Sequence, residues 1–220
     1  MNYAALVAAI SSYTENTFPT VNMNLFIAQA EKRIYNTVQI PALRKNVTGI
    51  TTASNKYLAC PDDFLSSYSL AAIDPTTGAY AYLLNKDVNF IREAYPTPTS
   101  TGSPKYYALF GPAVASSVIT TELTFLIGPT PDAAYSMELH YYYYPESIVT
   151  ASTTWLGDNY DPVLLYGTLV EAYTYMKGEP DMIALYDGKY KEAMGQLKRL
   201  GDGLERQDAY RSGQARIPVT

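Results

Sequence analysis

The spacing of apolar residues changes period twice along this chain, and that switch limits the fold more than any single motif does. Tyr3, Leu6, Val7 and Ile10 fall at helical spacing; after a turn around Pro19, the set Met23, Phe26, Ile27, Ala30, Ile34 and Val38 repeats it, leaving Glu31, Lys32 and Arg33 outside. Pro41 is expected to end this second helix. From about Asn46 the period becomes two, with turn signals at 53–55, 61–63, 74–78 and 128–132. Past Pro145 it becomes helical again. Segments of the two periods bury different faces, so the pattern predicts an α+β molecule. Its parts are a discontinuous α-helical bundle from 1–45 and 150–200, an inserted antiparallel β-rich domain over 46–149, and an extended C-terminal arm over 201–220.

The clearest strands come late in the insertion. Ile119, Thr121, Leu123, Phe125 and Ile127 alternate against more polar neighbours, and after a Gly128, Pro129, Thr130, Pro131 turn so do Tyr135, Met137, Leu139, Tyr141 and Tyr143. The expectation is a hairpin with one buried face. Earlier, Asn85 is placed to cap a short helix carrying Val88, Phe90 and Ile91.

The closing helices carry strong end signals. Asp161 as N-cap and Pro162 at the first position open one with a stripe of Leu165, Leu169, Ala172 and Met176, and Gly178 with Pro180 stops it. Asp181 caps the next, where Tyr186, Tyr190, Ala193, Leu197 and Leu200 share a face and Gly201 marks the end. The short connection makes the pair antiparallel. Gly188 and Gly195 lie inside that last helix on a common face, although glycine there costs about 1 kcal/mol relative to alanine. They are either tolerated surface positions or sites where another helix, from the same chain or a neighbouring subunit, approaches closely.

Composition narrows the chemistry. A chain of 220 residues, 47% hydrophobic, can bury one good core or two small ones. No run is long enough to span a bilayer, and the apolar start lacks the basic residues and cleavage-like end of a signal peptide. One cysteine, Cys60, forbids an internal disulfide, and a reducing cytoplasm is the simpler assumption. The net charge of −5 speaks against a nucleic-acid reader, and between 158 and 208 ten acids face six bases.

His140 is the one histidine, so Cys60 with His140 is the one nucleophile and base pairing on offer, and nothing in their spacing supports it. Alternation sets His140 with Glu138 and Tyr142 on the more polar strand face. Asp62 and Asp63 read as a turn after Pro61, and Gly201 and Gly203 around Asp202 lack the strand and helix context of a phosphate loop. The reading is no enzyme, no metal and no cofactor. Twenty-two tyrosines are the compositional outlier. They suit half-buried sheets and subunit contacts, and their capacity to stack on sugars keeps a carbohydrate-binding module as the alternative.

The segment after Gly201 mixes Glu205, Arg206, Asp208, Arg211 and Arg216 with few apolar residues, so it is expected to order only against a partner. In that role Leu204 and Tyr210 supply apolar anchors, and Arg211 and Arg216 pair with acidic groups. Ile217, Pro218 and Val219 form a short extended element able to add along a strand edge.

Several ordered segments carry a family resemblance. They are Glu31 to Tyr35 followed by Leu43, Arg44 and Lys45; Tyr57, Leu58, Pro61, Asp62 and Phe64; Pro104 to Leu109; Gly128 to Pro131 before Tyr143, Tyr144 and Pro145; and Trp155 with Leu156 ahead of the paired helices. In this order the chain resembles the head-to-tail adaptor (connector) family of tailed bacteriophages, in its short-tailed form. The loop from Gly111 to Ser117 is longer than the family's usual turn.

The resemblance implies a structural virion protein, made in the host cytoplasm and placed at the head-tail interface. It implies a homo-oligomeric ring, usually of twelve, between the portal protein and the tail nozzle protein. The helical part would pack on the portal and on neighbours, the C-terminal arm would reach into the portal, and the β-rich part would face the nozzle. Genome DNA would pass through without sequence-specific binding, a passage that an acidic lumen suits, and no membrane is involved. Against it stands a tyrosine-rich carbohydrate-binding or tail-fibre-associated module.

Overall fold

The computed structural model describes residues 1–74, 76–97, 99–111, 113–115, 118–121 and 123–211, with 113–115, 118–121 and 205–211 described as backbone. The helices are α1 (Tyr3–Thr14), α2 (Thr20–Tyr35), α3 (Val88–Ala94), α4 (Ile148–Ala151), α5 (Trp155–Asn159), α6 (Asp161–Tyr175) and α7 (Pro180–Arg211). Two compact units form, one from Met1–Leu43 with the chain from Pro145 onward, the other from Arg44–Tyr144.

The helical unit is organised on α6, against which α1, α2, α5 and α7 pack. Asn2 caps α1 by accepting the Ala5 amide at 2.9 Å, and Glu15, left-handed at φ 49°, ends it. Gly167 is where the helices close together: a Cβ there would stand 3.1 Å from Tyr190 and 3.3 Å from Ala30. The spacing-derived stripes are buried, with Leu6, Ile10, Phe26, Ile27, Ala30, Ile34, Leu169, Ala172 and Leu197 all inside.

Three expectations for this unit are corrected. Glu31 does not lie outside α2 with Lys32 and Arg33: it is 3% exposed, and its Oε1 accepts the Ile148 amide at 2.9 Å. The carboxylate thus serves the orphan donors at the start of α4, whose other cap is Ser147. Gly201 does not stop α7, which runs on through Gly203 to Arg211. Gly201 is buried instead, because a Cβ would meet Ile40 Cγ2 at 2.6 Å, while Leu200 turns outward. The arm expected to be extended from 201 is therefore helical to 211, and 212–220 lie outside the described residues. Finally, α6 starts at Asp161 itself, which is its first helical residue and not its cap, and α7 starts at Pro180, one residue before the assigned cap Asp181.

The second unit holds strands β1 (Arg44–Ile50), β2 (Tyr57–Ala59), β3 (Phe64–Ile73), β4 (Tyr80–Tyr82), β5 (Leu84–Asn85), β6 (Tyr106–Phe110), β7 (Ala113–Ala115), β8 (Val118–Thr121), β9 (Thr124–Gly128) and β10 (Ser136–Tyr143). One sheet has the order β1-β10-β3-β4 and is antiparallel throughout; the other has the order β2-β9-β6-β5, and β7 with β8 makes a separate ribbon. Phe64, Leu70, Tyr107, Phe125, Met137 and Leu139 form a core shared by both sheets. Helix α3 covers the outer side of the second sheet, packing Ile91 on Ala108 and Leu126.

Two expectations for this unit are corrected as well. The predicted hairpin does not form, since β9 pairs with β2 and β6 while β10 pairs with β1 and β3. The segment from Gly128 to Asp132 carries the chain from one sheet to the other. Strand β9 is buried on both faces, the core taking Phe125 and Ile127 and α3 taking Leu126. Gly128 permits that approach, because a Cβ would come within 2.6 Å of Ile91. The cap of α3 is Asp87, which accepts the Asn89 amide at 2.9 Å, and Asn85 lies in β5.

Candidate assembly surfaces

The residues weighed for chemistry are held apart. Cys60 is buried in the sheet core with Met137 and Leu139, and burial pushes its thiol up to about 12. His140 follows Leu139 on the opposite face of β10, with Nδ1 3.5 Å from Ser69 Oγ, so the strand itself stands between the two. Asp62 is exposed, whereas Asp63 is engaged, accepting from Tyr141 at 2.8 Å and from Lys45 at 2.7 Å. Burial alone would raise the Asp63 carboxyl, but the bonds from Lys45 and Tyr141 and the Lys45 charge outweigh it and hold the group low. Tyr141 is in turn pushed up to about 12 by burial and by that carboxylate. Among the described residues no three His, Cys, Asp or Glu side chains gather so as to hold a metal, and no helix is long and apolar enough to cross a membrane.

Glu31 is the most enclosed charge described. Burial raises its carboxyl pKa, and only partial opposition comes from the Ile148 amide and from Ser147. It ties α2 to the point where the chain re-enters the helical unit. Nearby, the Arg33 guanidinium pairs with Glu171 and lies 5.7 Å over the Tyr190 ring, whose buried hydroxyl has no partner among the described residues.

Gly188 and Gly195 both look into open space, with nothing within 4 Å of a built Cβ. They lie on the side of α7 opposite Tyr186, Tyr190, Ala193 and Leu197, so packing among the described residues does not account for them. Of the residues assigned to docking, Leu204 is half-buried on α7, and Tyr210 and Arg211 fall in its last turn. Arg216, Ile217 and Val219 lie outside the described residues.

Sequence reasoning missed where the exposed apolar surface concentrates. In the β unit part of it lies on two terminal strands of one sheet, where Ile50 is 71% exposed on β1 and Tyr80 and Tyr82 are 52% and 66% exposed on β4, their rings stacked at 6.5 Å; Tyr68, Leu84 and Leu109 are exposed elsewhere in the unit. The tyrosine excess was a hint, but only the strand order tells an edge from a centre. On the far end of β1, Arg44 donates to Tyr142 Oη at 2.9 Å and sits 4.3 Å over the Tyr68 ring. In the helical unit, Val21 and Leu25 project from α2 on the side away from its core stripe.

A family model described as SU10 adaptor protein matches residues 1–218. No curated protein matches the chain.

Proposed function

Because the chain belongs to the SU10 adaptor protein family, we propose that this structural phage protein forms a ring between the portal and the tail nozzle and lets genome DNA through without gripping it. The observation that carries the reading is the family match, which spans both structural units. A closed ring needs two different faces on each subunit that fit one another. Exposed apolar positions on α2 and on the sheet edges, together with the open glycine face of α7, are suitable material.

Portal docking is assigned to the end of α7 and the chain after it, with Leu204, Tyr210, Arg211, Arg216, Ile217 and Val219 as contacts. Helix α7 brings the first of these to the portal already ordered, which lowers the entropy lost on binding. The particle's head-tail interface is the expected location. A ring of twelve 24.3 kDa subunits has a mass of about 290 kDa. Class-averaged micrographs of the protein mixed with its portal are expected to show a ring stacked on the portal. Isolated subunits scattered on intact portals would overturn the assignment.

A further inference from the structure

We propose that successive copies join edge to edge through one sheet, β4 of one subunit pairing with β1 of the next; this rests on the ring reading above. The argument begins with strand direction. In the order β1-β10-β3-β4 every neighbour is antiparallel, so the two terminal strands run in opposite directions. A head-to-tail repeat of such a sheet sets β4 beside the next β1 in antiparallel sense, and the pattern continues without a break.

Register agrees with direction. Across the sheet, Ile50 is level with Ser136, Ile73 and Tyr80; Gly49 with Met137, Ala72 and Ala81; and Thr48 with Glu138, Ala71 and Tyr82. An unstaggered junction therefore sets Tyr80 opposite Ile50, Ala81 opposite Gly49 and Tyr82 opposite Thr48. Backbone alternation fits the same register. The Thr51 amide donates inward to Tyr135 and the Leu83 amide inward to Leu70, so residues 48, 50, 80 and 82 turn their amides and carbonyls outward. Tyr80 with Ile50 and Tyr82 with Thr48 would each exchange a pair of backbone hydrogen bonds. The closer, non-bonded pair between them consists of Ala81 and Gly49, the smallest side chains on either strand.

Side chains complete the fit. Leu70 and Ala72 point into the core, so Tyr80, Tyr82, Thr48 and Ile50 share the opposite face, where aromatic against β-branched pairs favour strand association. Natural edges are normally guarded by charge or proline. Thr48 to Ile50 and Tyr80 to Tyr82 carry neither, whereas Arg44 and Lys45 guard the end of β1 that β4 does not reach in this register.

The test places Ile50→Cys and Tyr80→Cys in the full-length chain within assembled particles. Opposed Cα atoms about 5.5 Å apart suit a disulfide. Cys60, buried with its thiol pushed up to about 12, is silent in all samples. The double variant is expected to give a ladder of reducible multimers on oxidation, and neither single variant any. Dimers from a single variant would mean a two-fold contact between like edges and would overturn the proposal. Rings seen in micrographs without a ladder would overturn it while leaving the ring reading intact, and particles with no adaptor ring would remove both. Independently, Ile50→Lys is expected to weaken subunit association by about tenfold or more, because a charge would oppose docking at an unguarded edge. Its free-subunit melting temperature should be unchanged, and wild-type association by the folded variant would again overturn the edge contact.

Discussion

At the residue scale, Glu31 shows how far a charged triplet can mislead. In Glu31, Lys32, Arg33 the sequence offers three charges together, and only tertiary structure separates the one that turns inward to serve the start of α4. Its consequence for stability has a definite sign. A carboxyl whose pKa is raised on folding favours the folded state most when protonated, so its contribution is full below the usual glutamate range and is lost as pH rises through the folded value. Glu31→Gln, which keeps an acceptor for Ile148 and carries no charge, is expected to flatten that loss and to match or exceed the native melting temperature at neutral pH. Glu31→Ala leaves the Ile148 amide unsatisfied and is expected to cost about 1–3 kcal/mol at neutral pH. Thermal unfolding of the three proteins from pH 4.5 to 7.5 checks both. Asp63 has the opposite sign, being held low and losing its contribution as pH falls, but it is common to all three proteins and cancels in the comparison.

At the element scale, α7 separates what periodicity can read from what it cannot. The stripe of Tyr186, Tyr190, Ala193 and Leu197 was legible because a helix repeats its buried face, and the same logic located α1, α2 and α6. Glycine is ambiguous: it ends a helix or admits a close neighbour, and only Ile40, distant in sequence, decides for Gly201. Strand partners are equally hidden, since alternation in β9 and β10 says nothing about which sheet each joins. The glycines of α7 can be told apart by experiment. Gly188→Ala and Gly195→Ala, with open space around them, are each expected to stabilise the free subunit by about 1 kcal/mol. Gly201→Ala is expected to destabilise by about 1–3 kcal/mol, because the branched Ile40 must move. Chemical denaturation of the three variants measures all of this. If the open glycines meet a neighbour in the ring, the same two alanines will impair assembly while raising monomer stability. Ending the chain after Leu204 keeps Gly201 on Ile40, so the body's melting temperature is expected to hold while stable attachment to the portal is lost. Wild-type affinity for the portal in that truncated protein would move docking to another face.

On the scale of the whole molecule, the proposed DNA conduit makes the acidic helical segment testable. Asp181, Glu192 and Asp202 are exposed on α7, so replacing them with lysine should leave the fold intact and create duplex binding that weakens steeply with salt. Filter binding across a salt series checks this, with native protein expected to bind little at physiological salt. One further consequence comes from the length of α7. Its 32 residues amount to a rod of about 48 Å, against about 23 Å for the 15 residues of α6. A glycine hinge at 201 would have decoupled whatever holds the outer end from the bundle. An unbroken helix instead carries its backbone ladder from the turns packed on α6 past the contact of Gly201 with Ile40 to Arg211, so the outer turns keep a fixed direction relative to the bundle.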